Sequence, residues 1–143
     1  MLAKDVMTSG AECTRPDATL HEAATRMKEL DVGALPVCEN DRLIGMVTDR
    51  DITVRSISAG HDPETHRVRE AMTSEVFYCF EDEDVAEVTR MMSEKQVRRV
   101  PVLNRDKRLT GIVSLGDLAV ETHDEQLVGG ALESISEPAT PRR

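Results

Sequence analysis

The chain states one stretch twice, and few folds accommodate that. Reading on from Pro36 gives PVCENDRLIGMVTDRDI, and reading on from Pro101 gives PVLNRDKRLTGIVSLGDL. Pro36 and Pro101 stand 65 positions apart. Gly45, Thr48 and Asp51 return 66 positions on as Gly111, Ser114 and Asp117, so one residue has been added in the turn. In each copy apolar runs bracket a charged turn, which is the pattern of a β-hairpin. A small hydroxyl residue then opens a helix, with a carboxylate three positions later.

The repeat reaches further back. Thr19-x-x-Glu22 is a capping box, and Asp84-x-x-Glu87 repeats it. Behind the first, Leu20, Ala23, Ala24, Met27 and Leu30 fall on one helical face; Val85, Val88, Met91 and Met92 repeat the stripe. Methionines at that spacing read as core. Residues 3–8 (AKDVMT) return as REAMT at 69–73, so a short amphipathic turn is expected to lead into each copy. Brief strands are expected around Ala11–Thr14 and Glu75–Cys79. Helices should run from Thr48 towards Ser58, breaking at Gly60, and from Ser114 to near Glu121. The segment 60–67, GHDPETHR, reads as a polar connector. Each copy is then β-α-β-β-α in about 60 residues, too small to be secure alone. The expected fold is α/β (α+β): two tandem domains sharing a core about a pseudo-twofold, at residues 1–62 and 63–124. The stretch 125–143 is small, polar and proline-bearing, and is expected to be a disordered tail.

Composition narrows the function. With no Trp, one Tyr and two Phe, the core must be aliphatic and methionine-rich. A net charge of −9 argues against nucleic acid as a partner, because phosphate contacts need a basic surface. No basic-then-apolar leader and no membrane-length apolar run occur, so no membrane association and a cytoplasmic location are expected. Three cysteines, none in a Cys-x-x-Cys, are too few for a disulfide framework.

The order VMT … TLHEAATRMKELDVGALPV … RLIGMVTDRDI, repeated as AMT … DVAEVTRMMSEKQVRRVPV … RLTGIVSLGDL, resembles a tandem pair of cystathionine β-synthase (CBS) domains, or Bateman module, of the stand-alone type. The resemblance implies an adenosine-containing ligand in the cleft between the domains. The motif Asp would hold the ribose hydroxyls, the motif Thr or Ser would lie near ribose and phosphate, and basic residues before the Pro-Val strand would hold phosphate. Carried over, these are Asp51 with Thr48, Asp117 with Ser114, and Arg98 with Arg99. Gly33-Ala34 stands where Arg98-Arg99 does, so the first copy lacks a phosphate partner. The resemblance also implies a homodimer with helices at the interface, signalling to a separate, unidentified effector protein.

The residues themselves suit that chemistry. An ionised carboxylate can accept both hydrogens of a ribose cis-diol, and a hydroxyl residue beside free helix-terminal amides favours phosphate. Gly45 and Gly111 permit a close backbone approach or a bulge. Against this, both hydroxyl–carboxylate pairs could serve only as helix caps, and Arg98 and Arg99 could be solvated strand-edge charges. His61 and His66 flank Asp62 and Glu64 at a spacing that could hold a metal, but an exposed linker is the simpler reading; zinc is disfavoured and no metal site is assigned. His21 and His123 read as lone surface histidines. No catalytic signature is present: no G-x-S-x-G, Walker A or G-x-G-x-x-G. Cys79 reads as a buried thiol. Cys13 and Cys38 end two strands that a β-α-β unit makes parallel and adjacent, which is expected to bring them within the roughly 4.4–6.8 Å Cα range of a disulfide. The competing reading is two buried thiols in a reducing compartment.

The function expected is therefore a non-enzymatic sensor of an AMP-, ADP- or ATP-like nucleotide, with no other cofactor. The alternative is a ligand-free structural or interaction protein, redox- or stress-linked, that keeps the scaffold without the affinity.

Overall fold

The structure is a computed structural model that describes residues 1–138. In chain order its elements begin with α1 (Ala3–Val6), β1 (Thr8–Ser9), α2 (Leu20–Leu30), β2 (Ala34–Glu39), β3 (Arg42–Thr48) and the single turn α3 (Asp49–Asp51), which widens into a π-helical segment over Ile52–Ile57. They continue with α4 (Val68–Ala71), β4 (Cys79–Phe80), α5 (Val85–Lys95), β5 (Arg99–Leu103), β6 (Leu109–Ser114), α6 (Leu115–Thr122) and α7 (Glu125–Ser136). The expected α/β content and the duplicated hairpins are present.

The chain sorts into two compact units, Glu12–Val76 and Met1–Ala11 with Phe77 onward. This differs from a cut at 62 and 63, and the Met-Thr segments explain the difference. Thr8 and Ser9 pair antiparallel with Ile112 and Gly111 of β6. Thr73 pairs with Met46 of β3, its amide donating to the Met46 carbonyl at 2.8 Å. Each Met-Thr segment thus completes the sheet edge of the other copy's hairpin, and does not lead into its own copy.

In the Glu12–Val76 unit, α2 begins as its sequence requires. The Thr19 hydroxyl accepts from the Glu22 amide and the Glu22 carboxylate accepts from the Thr19 amide, at 3.1 and 3.2 Å. Leu20, Ala23 and Met27 turn inward on Leu35, Val37, Val47 and Val68. Ala24 and Leu30 of the expected stripe stay exposed. The hairpin turn places Asn40 and Asp41 at φ 52° and 63°, the left-handed pair a tight two-residue turn needs. The strand expected at 11–14 contracts to one residue, Thr14, bridged in parallel to Val37.

The second unit carries a four-stranded sheet in the order β1-β6-β5-β4. Val88 and Met92 pack on Val100, Val102, Val113 and Leu118, each such burial being worth about 1.5–3 kcal/mol. Its second capping box is only half formed. Asp84 accepts from the Ala86 amide at 2.8 Å, but Glu87 turns to Arg90, 2.5 Å away, and does not return to the cap. The expected disordered tail is, over its described part, helix α7. Asp124 caps it through the Leu127 amide, and Ala131 and Ile135 enter the core. The Gln96 side chain donates to the carbonyls of Ser134 and Glu137 at 3.1 and 2.8 Å. Residues 139–143 of that tail lie outside the described residues.

Candidate ligand half-sites and the disulfide

Each hairpin delivers its hydroxyl residue to the end of its last strand, and there the chain turns into helix. At Thr48 the hydroxyl accepts from the Asp51 amide (3.0 Å) while Asp51 Oδ2 accepts from the Thr48 amide (2.9 Å). At Ser114 the same two bonds measure 3.0 and 2.9 Å, with Asp117 Oδ2 as the acceptor. Both pairs are therefore full reciprocal caps. A cap leaves chemistry to spare: each hydroxyl still has a proton to donate, and each carboxylate a second oxygen.

The two pairs differ in what surrounds that second oxygen. Asp51 Oδ1 faces Arg55 Nε at 3.7 Å, and the Asp51 side chain is only 16% exposed. Arg55 is a participant that sequence reading passed over, although its i,i+4 spacing from Asp51 was visible. Asp117 is half-buried, and among the described residues its Oδ1 has no ion pair or hydrogen bond.

Two arginine residues neighbour the second pair along the backbone. Arg99 lies opposite Ser114 in the β5–β6 register, and the Arg98 carbonyl accepts from the Leu115 amide at 2.9 Å. Both arginine residues are exposed, and neither forms an ion pair among the described residues. In the other unit Ala34 lies opposite Thr48 and the Gly33 carbonyl accepts from the Asp49 amide at 2.9 Å. The backbone is the same and the cations are missing. Of the six residues singled out, the structure gathers Arg98, Arg99, Ser114 and Asp117 in one unit and places Thr48 and Asp51 in the other.

The repeated glycines answer to packing. A Cβ on Gly111 would meet the Thr8 carbonyl and Met7 Sδ at 2.7 Å, and one on Gly45 would meet the Thr73 carbonyl at 2.7 Å. The close approach they permit is that of the chain's own Met-Thr segments.

The structure places Cys13 and Cys38 at disulfide spacing, with Cα atoms 5.8 Å apart. The pair brackets Thr14, whose amide donates to the Pro36 carbonyl (2.8 Å) and whose carbonyl accepts from the Cys38 amide (2.9 Å). Cys79, the residue that matches Thr14, is a buried free thiol. Burial, helped by the charge of Glu83, pushes it up to about 12, so it carries almost no thiolate at neutral pH. Among the described residues no group of three or more His, Cys, Asp or Glu side chains is placed to hold a metal ion. No described helix is long and apolar enough to cross a membrane.

Comparison with known proteins bears on the family and the fold. The CBS domain family model matches residues 3–57 and 68–124. Hypoxic response protein 1 of Mycobacterium tuberculosis is 41% identical over 127 residues, covering 88% of each chain. A crystal structure of Hypoxic Response Protein I with two coordinated zinc ions superposes with a TM-score of 0.76 at 42% identity, covering 85% of this chain and 98% of that one. A hexameric CBS-CP12 protein from bloom-forming cyanobacteria gives 0.76 at 32% identity, over 85% of this chain and 67% of that one. The CBS domain pair of protein MJ0100, in complex with 5-methylthioadenosine and S-adenosyl-L-methionine, gives 0.76 at 25% identity, over 87% and 98%.

Proposed function

The chain belongs to the CBS-domain family as a tandem pair, and on that premise we propose that it is a non-enzymatic regulatory module that takes up an adenine nucleotide, most tightly at Ser114, Asp117, Arg98 and Arg99. The observation that carries this reading is the β5–β6 register. It sets Arg99 across from Ser114, next to the one motif carboxylate whose second oxygen is unengaged among the described residues. Asp117 would accept from the ribose diol, keeping its cap through Oδ2. The Ser114 hydroxyl would donate to ribose or phosphate, and Arg98 or Arg99 would supply the charge-assisted phosphate contact. Thr48 and Asp51 make a weaker half-site, because Arg55 competes for the carboxylate and Gly33-Ala34 offers no cation. The adenosine-type ligands bound by the MJ0100 pair support the ligand class. A homodimer is the expected assembly, in keeping with the oligomeric CBS-CP12 relative, and a separate effector protein the expected target.

A second reading has its own support. Both hydroxyl–carboxylate pairs close as reciprocal caps and both glycines are explained by packing, so the motif is also what a ligand-free scaffold would need. Calorimetry with AMP, ADP, ATP and S-adenosylmethionine separates the two. Binding of at least one, weakened about ten- to a hundredfold by Asp117→Ala and little changed by Asp51→Ala, is expected. No heat with any of the four would leave the scaffold reading standing.

A further inference from the structure

Three of the chain's four histidines converge on the segment 60–67, which is no free linker. The His66 carbonyl accepts from the Leu20 amide and the Pro63 carbonyl from the His21 amide, both at 3.0 Å. Those are the first two amides of α2, which have no partner inside the helix. The segment is thus a backbone cap for α2, completing what Thr19 begins.

Ring stacking fastens it. His61 and His66 lie face to face, with centroids 4.2 Å apart and planes 3° from parallel. His66 Nδ1 sits 3.1 Å from the Asp62 carbonyl oxygen and 3.3 Å from the Thr65 hydroxyl; the tautomer that donates to the carbonyl carries its proton on this nitrogen. His66 can therefore take a second proton at Nε2 without losing this bond. His61 Nδ1 is buried with no partner among the described residues, as is the hydroxyl of Ser56, a residue 0% exposed. The His61 amide is fixed to the Ser56 carbonyl at 3.0 Å. An imidazolium at His61 would bury an N–H without an acceptor and face a second positive ring.

We propose that the segment 60–67 is a proton-sensitive clasp, closed over the start of α2 while the His61–His66 stack carries at most one charge, and opened when both rings are protonated. Imidazole is the side chain whose charge responds most readily to mild acidification, so falling pH is the trigger. The open form binds more protons, so closure strengthens as pH rises and is lost as pH falls.

The surrounding charges do not cancel this. On the segment itself, the Asp62 carboxylate accepts from the Glu64 amide, and Glu64 faces His21 of α2 at 3.0 Å. That pair gains as His21 protonates, but its side chains are 58% and 65% exposed and such contacts are weak. Arg67 is directed to the Asp17 carbonyl and its amide to Glu70 of α4. Arg69 of α4 pairs with Asp17, and Arg55 of the π-helical segment turns to Asp51.

Hydrogen exchange at the Leu20 and His21 amides, followed by NMR on the whole chain and corrected for the intrinsic pH dependence of exchange, tests the clasp. Protection at both should fall severalfold, to a ceiling of about tenfold for one extra proton, between pH 7.5 and 5.5, while Ala23 and Met27 hold theirs. His61→Phe, which keeps a flat ring and cannot take the second proton, should retain protection at pH 5.5; His66→Phe serves if that variant does not fold. Protection unchanged with pH in the wild-type chain, or an equal fall in the phenylalanine variant, would overturn the proposal.

Discussion

The two copies solve the same edge problem by different means. In the second copy, the strand before the helix makes two parallel pairs, Cys79 with Val102 and Phe80 with Leu103. In the first, the matching strand is reduced to Thr14 and its bridge to Val37, and the Cys13–Cys38 pair stands beside it. The second copy also has α7 laid on α5, with Ala131 and Ile135 in its core. Leu30 and Val32 of the first remain 38% and 41% exposed. A duplicated sequence thus yields one unit reinforced by packing and one whose two cysteines stand at bridging distance. The hydroxyl–carboxylate motif, common to both, therefore sits in unequal surroundings.

Removing a Cys13–Cys38 bridge should have the largest effect. The bridge would span 25 positions, and chain entropy assigns a loop of that size about 3 kcal/mol. Urea unfolding of Cys13→Ser/Cys38→Ser, or of the wild type with reductant, should show the Glu12–Val76 unit melting earlier by that amount, with the other unit unmoved. Equal loss in both units would break the comparison. Thiol counting on unfolded protein checks the premise: one free thiol without reductant and three with it are expected.

A smaller effect tests what the copies share. Gly111→Ala forces a methyl against the Thr8 carbonyl and Met7, and Gly45→Ala one against the Thr73 carbonyl. Overpacking of this kind costs about 1–3 kcal/mol. Each substitution should destabilise only the unit that holds it, with Gly111→Ala the worse because two atoms lie at 2.7 Å. A neutral Gly111→Ala in thermal unfolding would mean that the Met-Thr segment does not seat there.

Much of this was legible in the residues. The hairpins, the Thr19–Glu22 box and the inward faces of α2 and α5 follow from local periodicity and capping chemistry, which the chain satisfies where it stands. Three features were not. Which hairpin each Met-Thr segment joins is a choice between two nearly identical edges, and a repeat cannot distinguish its own copies. Helix α7 was hidden by Gly129-Gly130, a pair that costs about 1 kcal/mol per glycine in a helix. Its signal was the spacing of Val128, Ala131 and Ile135, outweighed by composition. The asymmetry at the carboxylates was half visible: the missing cations at Gly33-Ala34 could be read, whereas Arg55 turning to Asp51 is a tertiary outcome. In the candidate site the identities were readable and the register was not, because a one-residue slip in β5 would have moved Arg99 away from Ser114.

The central claim, that the half-site at Ser114 and Asp117 is the one that takes an adenine nucleotide, is tested most directly by titrating AMP into the ¹⁵N-labelled chain. The amides of Arg99, Ser114, Leu115 and Asp117 should shift first and saturate together, with those of Thr48 and Asp51 following only at higher concentration. Shifts that begin at Thr48 and Asp51 and leave Ser114 and Asp117 in place would contradict the account.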